Sequence, residues 1–300
     1  MLKLLKDIYE RRYKTLMIFS FAILILALVQ IGVQYYTTGD FINRGVTLKG
    51  GSTITITETA IDSNDLKSFL KEKFPKADIS VRTVTSAGKV VNIAVDSDAQ
   101  ETEEINNLLS AIIQKESLTK EDYSVEVMGS SLGQSFFKQT ITAIIAAFLL
   151  MAIVVLIYFR KVVPAFAVVL CAFSDITVSL AIFNLTGIKL STAGVAAFLM
   201  LVGYSVDTDM VLSTRMLRRK EGPVMERVYS SIKTGLTMTT TTLVAVIVAL
   251  IFVQSEVIKQ IMLILLIGLL VDVVMTYIQN VGVIRLYLDR VEKKGKIQAA

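Results

Sequence analysis

The sequence predicts a polytopic α-helical membrane protein with six transmembrane helices and one α+β domain between the first helix and the second. Hydrophobic residues make up 53% of the chain, and the mean hydropathy of +0.62 is too high for an ordinary soluble domain. Several apolar runs reach the roughly 20 residues that cross a hydrocarbon core of about 30 Å. Basic residues gather beside these runs, so the positive-inside rule explains the formal charge of +5 and we expect no nucleic-acid partner.

The cysteine and histidine content narrows the chemistry that is open to the chain. Its one cysteine, Cys171, lies in an apolar run, so the sequence predicts neither an intrachain disulfide nor a metal site. The chain has no histidine, so any proton transfer would fall to carboxylates, tyrosine, lysine or water. No phosphate-binding loop is present in the sequence. We therefore expect no enzyme activity and no cofactor.

A basic segment lies at each end of the chain, over 1–15 and 289–300, and the positive-inside rule places both in the cytoplasm. The apolar run over 16–36 predicts the first transmembrane helix. This run is too long for a signal peptide and lacks a small-residue cleavage site, so we interpret it as an uncleaved signal anchor in the cell membrane.

Residues 37–137 predict the α+β domain, because they are charged, alternate in polarity and contain no long apolar run. Strands are expected at 52–58, 78–84, 89–95 and 123–128, with a turn at Ala87 and Gly88 and with helices at 63–74 (capped by Asp62 or Ser63) and 101–115. The order β-α-β-β-α-β is that of the ferredoxin-like motif. We therefore expect a four-stranded antiparallel sheet with two helices on one face, on the extracytoplasmic side. The domain has no nucleophile and base pair that would indicate catalysis.

Residues 138–288 predict the other five transmembrane helices. Their expected positions are about 139–159, 162–185, 189–213, 236–253 and 257–284. Before them, the glycine- and serine-rich segment 129–133 predicts a flexible return to the membrane. Residues 215–235 are basic and amphipathic, with a break at Gly222 and Pro223, and they predict a cytoplasmic helical elbow.

Four carboxylates fall inside the predicted transmembrane helices, where an ionised Asp costs about 2.5–3.5 kcal/mol on insertion scales. Asp175 and Asp272 lie near the middle of the third and sixth helices. Asp207 and Asp209 share the fourth helix, and a separation of about 200° prevents both from facing one cavity. The sixth helix carries a stripe of small and polar residues, which are Gly268, Asp272, Thr276 and either Gln279 or Asn280.

Two interpretations of these acids are open. In the first they form a proton or cation pathway; in the second, hydroxyl groups and Arg215 or Arg218 satisfy them and they fix helix packing. We favour the pathway for the set, because intramembrane acids are functional by default. Within the fourth helix Asp207 is the better candidate, because a structural role suits Asp209 beside the basic elbow at least as well. The candidate ion-coupling or packing residues are Asp175, Asp207, Asp209, Asp272, Thr276 and Arg215.

Two segments resemble motifs of the SecF branch of the SecD/SecF family. The fourth-helix pattern is G-Y-S-φ-x-x-x-φ-φ-φ-x-x-R, where φ is apolar, and the pattern after the first helix is G-φ-D-F-x-G-G-[ST]. The matching positions are Gly203, Tyr204, Ser205 and Arg215 in the first pattern and Gly45, Gly50, Gly51 and Ser52 in the second. Thr47 replaces the acid and Leu48 the aromatic residue of the second pattern, and these departures resemble the archaeal type.

The resemblance implies an accessory subunit of protein export, similar in design to the resistance–nodulation–division transporters. Such a subunit would pair with SecD, whose six helices would complete a twelve-helix unit, and it would act with a SecYEG-type channel on exported polypeptides in the lipid bilayer. In the bacterial relatives proton flow through polar residues of the fourth helix is tied to movement of the extracytoplasmic domains, but their Asn-Asp pair is here Asp207 and Thr208. Two other functions stay open: an ion-coupled exporter of small molecules or lipids, which would need a dimer, and a non-conducting scaffold that stabilises SecD.

Overall fold

The computed structural model describes residues 9–57, 61–86, 89–218, 224–253 and 255–298. Its helices in chain order are α1 (Tyr13–Thr38), α2 (Val46–Lys49), α3 (Ser63–Lys73), α4 (Thr102–Glu116), α5 (Ser130–Phe159), α6 (Val162–Leu185), α7 (Thr192–Arg218), α8 (Val224–Phe252), α9 (Glu256–Val274) and α10 (Val281–Gln298), with a π-helix (Met275–Asn280) that joins α9 to α10. Six of these are long and apolar enough to cross a membrane, namely α1, α5, α6, α7, α8 and the joined helix α9–α10. The predicted number of transmembrane helices is therefore confirmed.

The α+β domain lies between α1 and α5 and has one antiparallel sheet. Its strands are β1 (Gly51–Ile56), β2 (Ser80–Ser86), β3 (Lys89–Ser97) and β4 (Tyr123–Met128), in the spatial order β2-β3-β1-β4. β1 pairs with β3 on one side and with β4 on the other. This order and the βαββαβ sequence of elements confirm the predicted ferredoxin-like fold.

The alternation of apolar residues along the strands builds the core of this domain. Ile54 on β1 and Val95 on β3 are paired residues, and both are fully buried. They pack against fully or almost fully buried leucines and isoleucines of the two helices, which are Leu66, Leu70, Leu108 and Ile112. The carboxylate of Asp62 accepts a 2.8 Å hydrogen bond from the backbone N–H of Asn64, so Asp62 caps α3 as predicted.

The return from the α+β domain to the membrane is helical, so the predicted flexible segment at 129–133 is wrong. α5 already begins at Ser130, and residues 130–137 belong to this helix rather than to the domain. The small residues serve close packing instead of flexibility. A Cβ on Gly133 would lie 2.7 Å from the backbone nitrogen of Gly50, and a Cβ on Gly50 would lie 2.6 Å from the Cα of Ser130. The glycines thus let the start of α5 contact the chain before β1 directly.

The other helix boundaries differ from the prediction mostly by extension. α8 begins at Val224 rather than at 236, and α10 continues to Gln298 through much of the predicted tail. Hydropathy marks where the apolar surface ends, whereas a helix continues until its backbone is interrupted. α7 starts at Thr192 rather than at 189, because Leu190 is held by backbone hydrogen bonds to Asn43 and Gly45. The first eight residues of the basic segment 1–15, the turn at Ala87 and Gly88, and the break at Gly222 and Pro223 lie outside the described residues.

The helices differ in how much of their surface the rest of the chain covers. α6 and α7 are the central helices, with 61% and 50% of their most apolar windows buried, whereas α5 has only 6%. α5 directs large aliphatic side chains outward, including those of Leu149, Leu150, Ile153 and Val154. This surface is typical of contact with lipid. The central helices α6 and α7, together with α9, hold the candidate site.

Candidate functional site

Three of the four intramembrane carboxylates meet in the centre of the helical bundle. Asp175 on α6, Asp209 on α7 and Asp272 on α9 are all fully buried. One carboxyl oxygen of Asp175 and one of Asp209 lie within 4.8 Å of each other, and Oδ1 of Asp272 lies 3.1 Å from the hydroxyl of Thr276, which also contacts Asp209. We call these three residues the acid cluster. The helical stripe of the sixth transmembrane helix is confirmed, because Asp272, Thr276, Gln279 and Asn280 all lie on its buried face.

Hydroxyl and amide groups hold the acid cluster from three helices. Ser205 on α7 donates a hydrogen bond to Asp175. The hydroxyl of Thr276 lies 2.9 Å from Oδ1 of Asp209 and 3.1 Å from Oδ1 of Asp272. It has one proton for the two carboxyl groups, so it cannot donate to both at once. Asn280 donates a 2.7 Å bond from Nδ2 to Oδ1 of Asp209.

The acid cluster has more acceptors than donors among the residues described. Five buried oxygen atoms find no hydrogen-bond partner there, which are Oδ1 of Asp175, Oδ2 of Asp209, Oδ2 of Asp272, Oε1 of Gln279 and Oδ1 of Asn280. Over the same described ranges, no lysine or arginine pairs with any of the three acids. Three negative charges this close in a low-dielectric interior repel one another strongly. The arrangement is therefore suited to holding protons or a cation.

Cys171 also belongs to this site, which the sequence did not predict. Its sulfur and one carboxyl oxygen each of Asp175 and Asp209 all lie within 4.8 Å of one another. These atoms are close enough together to share one cation. Sγ of Cys171 also lies 4.0 Å from Oγ1 of Thr276. A lone cysteine has no spacing pattern in the sequence that could have revealed this position.

The π-helix brings three polar side chains to the acid cluster. Thr276, Gln279 and Asn280 are spaced at i, i+3 and i+4, so they share one helix face, and all three are buried within the π-helix. Gln279 donates to Ser174 over 2.9 Å, which ties this turn to α6. Tyr9, before the first transmembrane helix, donates a 2.6 Å hydrogen bond to the carbonyl of Tyr277 within the same turn. Burial raises the pKa of Tyr9, so its hydroxyl remains a donor at neutral pH.

The structure reverses the preference between the two acids of α7. Asp209 points into the acid cluster, whereas Asp207 is exposed on the opposite face of the helix. The expected separation of about 200° between them holds, and Asp209 rather than the preferred candidate Asp207 takes the inward position. Asp207 was preferred because Asp209 lies nearer to the basic elbow. The contacts of Asp209 show that this proximity does not decide its role.

Arg215 does not satisfy the acids, so that part of the packing interpretation is wrong. Its guanidinium donates to the carbonyl of Ser230 over 3.0 Å and to the hydroxyl of Thr234 over 2.7 Å. These bonds join the ends of α7 and α8 well away from the acid cluster. The hydroxyl groups do contact the acids, as that interpretation expected. The side chain of Arg218 lies outside the described residues.

The residues of the two sequence motifs occupy distinct positions. Gly45 donates its N–H to the carbonyl of Leu190 over 2.8 Å, and a Cβ there would meet the same oxygen at 2.9 Å. Gly51 has a φ of +137°, and a Cβ would lie 2.2 Å from the carbonyl oxygen of Ser97. The hydroxyl of Tyr204 donates to Thr239 on α8 over 3.1 Å. Ser205 donates to Asp175 of the acid cluster, whereas Gly203 lies on the exposed face of α7 with Asp207.

Comparison with known proteins agrees with the topology. The family model described as protein export membrane protein SecD/SecF, C-terminal, matches residues 109–290. Protein-export membrane protein SecF of Pyrococcus furiosus is 39% identical over 291 residues, which cover 97% of this chain and 96% of the relative. The protein of the same name from Methanothermobacter thermautotrophicus is 35% identical over 285 residues, which cover 93% and 94%.

The solved structures include a similar fold. The crystal structure of SecDF, a translocon-associated membrane protein from Thermus thermophilus, superposes with a TM-score of 0.72 at 22% identity. The match covers 92% of this chain but only 38% of the SecDF chain. The family model, the near full-length relatives and the shared fold lead to one assignment: the chain belongs to the SecD/SecF family of protein-export membrane proteins.

Proposed function

We propose that this chain is an accessory subunit of the Sec protein translocase that assists the export of polypeptides across the cell membrane. Its near full-length similarity to proteins named protein-export membrane protein SecF supports this function. The proposal places the chain beside SecD and a SecYEG-type channel, with the termini in the cytoplasm and the α+β domain outside. The polypeptide being exported would be the client of that domain. The subunit would act mechanically and not as an enzyme.

The partnership with SecD is supported by the size of the match to SecDF. This chain accounts for 38% of the SecDF chain, so a separate protein would have to supply the remaining helices and domains. α7 lies partly in the core of the bundle and partly at its surface, as expected of a helix that would pack between the two subunits. Together the two subunits would form a twelve-helix unit.

Coupling to an ion gradient rests on one observation, which is that three buried carboxyl groups meet without a cation among the described residues. Binding or release of a proton or cation would change which oxygens accept hydrogen bonds from Thr276, Ser205 and Asn280. Because these groups lie on different helices, the change would alter how α6, α7 and α9 pack. A packed interior responds by switching between discrete arrangements. The loop between α6 and α7 would carry such a change to the α+β domain, because Lys189 pairs with Asp78 over 3.2 Å.

The test is export of a reporter protein into proteoliposomes that contain this chain, SecD and the channel. An imposed proton or sodium gradient is expected to stimulate export, and Asp209→Asn is expected to abolish the stimulation while it leaves basal export in place. Glu103→Gln removes an exposed carboxylate from α4 and is the matched control, for which we expect full stimulation. Equal stimulation of both variants would contradict ion coupling at the acid cluster. Equal export with and without this chain would contradict the accessory role itself.

A further inference from the structure

We propose that Cys171, Asp175 and Asp209 form a binding site for a thiol-binding divalent cation such as Zn²⁺ or Cd²⁺, and that the bound metal blocks ion coupling. We call these three residues the thiol–carboxylate site. The metal would act as an inhibitor and not as the coupled ion. Binding of the metal does not depend on the proposed function, whereas the block of ion coupling rests on it.

Two of the three ligand residues lie one helical turn apart. Cys171 and Asp175 are four positions apart on α6, so their side chains share one face of the helix. The H-E-x-x-H motif uses the same spacing to place two ligands of one Zn²⁺ side by side. Asp209 comes from α7 and completes a set of three ligand atoms that lie within 4.8 Å of one another. The site thus draws its ligands from two neighbouring helices.

The distances between the ligand atoms suit a small tetrahedral cation. Zn²⁺ bonds to sulfur at ~2.3 Å and to carboxylate oxygen at ~2.1 Å, so the ligand atoms of a tetrahedral site lie about 3.4 to 3.6 Å apart. Here they lie within 4.8 Å of one another, so they have to approach by about 1.3 Å at most. The terminal torsion of an Asp side chain is broad, and small rotations provide this movement.

Oxygen atoms without partners are a second indication of a ligand. Ser205 donates a hydrogen bond to Oδ2 of Asp175, and Asn280 donates one to Oδ1 of Asp209. The other oxygen of each carboxylate is buried and has no partner among the described residues. The same holds for the carboxamide oxygen of Asn280, a fully buried residue whose amide group already contacts Asp209. Carboxylates that bind metals are held by such hydrogen bonds on one side and offer the other oxygen to the ion.

The sulfur atom of Cys171 determines which cations the site prefers. Thiolate ligands favour Zn²⁺ and softer ions, whereas hard cations such as Na⁺ and Mg²⁺ favour oxygen ligands. The bond from sulfur to the metal forms as the S–H bond breaks, and the proton leaves to solvent. No oxidation state changes in this step. The amide oxygen of Asn280 and the unpartnered oxygen of Asp272 are the nearest candidates for a fourth ligand.

A metal at the thiol–carboxylate site would supply the fixed positive charge that the acid cluster lacks. Over the described ranges no lysine or arginine pairs with any of the three acids. A dication bonded to Asp175 and Asp209 would prevent both from exchanging a proton or another cation. It would also join α6 to α7 at this point. The repacking of these helices that ion coupling requires would therefore be blocked.

The test titrates the purified full-length chain in detergent with Cd²⁺ and follows ultraviolet absorption. A bond from thiolate to Cd²⁺ gives a charge-transfer absorption, and the signal reports on Cys171 alone because the sequence has a single cysteine. The ligand residues are fully buried, so the metal enters by local opening of the bundle and each point is read at equilibrium. We expect saturation at a single Cd²⁺ per chain.

Two variants of α7 show whether the acid cluster takes part in binding. Asp209→Asn is expected to weaken Cd²⁺ binding at least tenfold although the thiol remains. Asp207→Asn removes an exposed acid of the same helix and is the matched control, for which we expect wild-type affinity. Equal affinity in the two variants, or no charge-transfer absorption in the wild type, would overturn the proposal.

A third variant keeps the test decisive if Asp209→Asn does not fold. Cys171→Ser is almost isosteric, and it is expected to lose the absorption and to bind Zn²⁺ at least tenfold more weakly by calorimetry. Wild-type affinity for Zn²⁺ in Cys171→Ser would overturn the proposal, because the thiol would then not be a ligand.

Export in the proteoliposomes described above tests the block. Zn²⁺ is expected to lower gradient-stimulated export at least tenfold in the wild type and less than twofold in Cys171→Ser, each compared with the same variant without metal. Full stimulation of the wild type with Zn²⁺ bound would contradict the block. Absence of stimulation even without metal would contradict ion coupling in the proposed function instead, and the binding titrations would still decide whether the site exists.

Discussion

Asp96 in the α+β domain and Asp209 in the membrane bundle are both buried carboxylates, but their surroundings differ. Nε and Nη2 of Arg82 lie 2.7 and 2.9 Å from the two oxygens of Asp96, and Thr53 donates a further 2.9 Å bond. Asp209 receives only neutral donors on Oδ1, and its Oδ2 has no partner among the described residues. Asp96 thus has a fixed cationic partner, whereas Asp209 has none among the described residues. The two carboxylates are similarly buried, so the difference between them lies in the charge of their partners.

The largest effect is expected from giving the acid cluster a fixed cation, as Asp96 has. Asp272→Lys would place an ammonium group beside Asp175 and Asp209, so the remaining acids would no longer need a mobile ion. We expect gradient-stimulated export to fall at least tenfold while the chain stays folded. Asp272→Asn, which removes one acid without adding a cation, is the control and is expected to lose less. Wild-type stimulation with Asp272→Lys would contradict the account.

The converse change removes the positive charge of Arg82, which pairs with Asp96 in the α+β domain. Arg82→Met leaves Asp96 buried and unpaired, a loss that costs about 3–5 kcal/mol when both partners are buried. Arg82 is 38% exposed, and solvent screening lowers our expectation to about 2 kcal/mol. Hydrogen exchange of the β2 and β3 amides in the intact protein measures the loss. Arg82→Lys keeps the charge and should lose less, so equal exchange in both variants would show that the charge does not matter.

A smaller effect is expected at the hydroxyl shared by two acids. Thr276→Val keeps the shape of the side chain and removes the hydroxyl that lies between Asp209 and Asp272. Side-chain hydrogen bonds inside membranes contribute about 0.6 kcal/mol on average. Thermal unfolding in detergent should show a shift of this size, together with an altered pH dependence of export. Thr241→Val, on the exposed face of α8, is the control, and equal pH profiles for the two variants would argue against a role of Thr276 in the ion site.

The smallest effect is expected at Asp122, an exposed carboxylate that accepts hydrogen bonds from uncharged donors. Hydrogen bonds from the hydroxyl and the backbone N–H of Thr119 lower the pKa of Asp122. Because the folded pKa lies below the unfolded one, the stabilisation is present above the unfolded value and is lost as the pH falls through the folded value. Thr119→Ala should raise the pKa of Asp122 toward its ordinary value, as an NMR titration of this carboxyl would measure. An unchanged pKa would assign the shift to the backbone donor alone.

The α+β domain could be predicted from the sequence in most of its detail, whereas the acid cluster could not. Alternation along β1 and β3 and the cap at Asp62 are local signals, and the structure follows them. Helical periodicity showed that Asp207 and Asp209 face apart, but it does not reveal which face is buried, because the neighbouring helices decide this. The π-helix over Met275–Asn280 interrupts the sixth transmembrane helix, and hydropathy carries no signal for it. Cys171 likewise joins the acid cluster only through tertiary packing.

The central claim is that the acid cluster holds an exchangeable proton or cation, and infrared difference spectroscopy of the purified complex tests it most directly. Changing the pH or the sodium concentration should produce a carboxyl C=O stretching difference that is lost when Asp175, Asp209 and Asp272 are all replaced by Asn. Export stimulation should be lost in the same variant. A wild-type difference spectrum identical to that of the triple variant would contradict the claim.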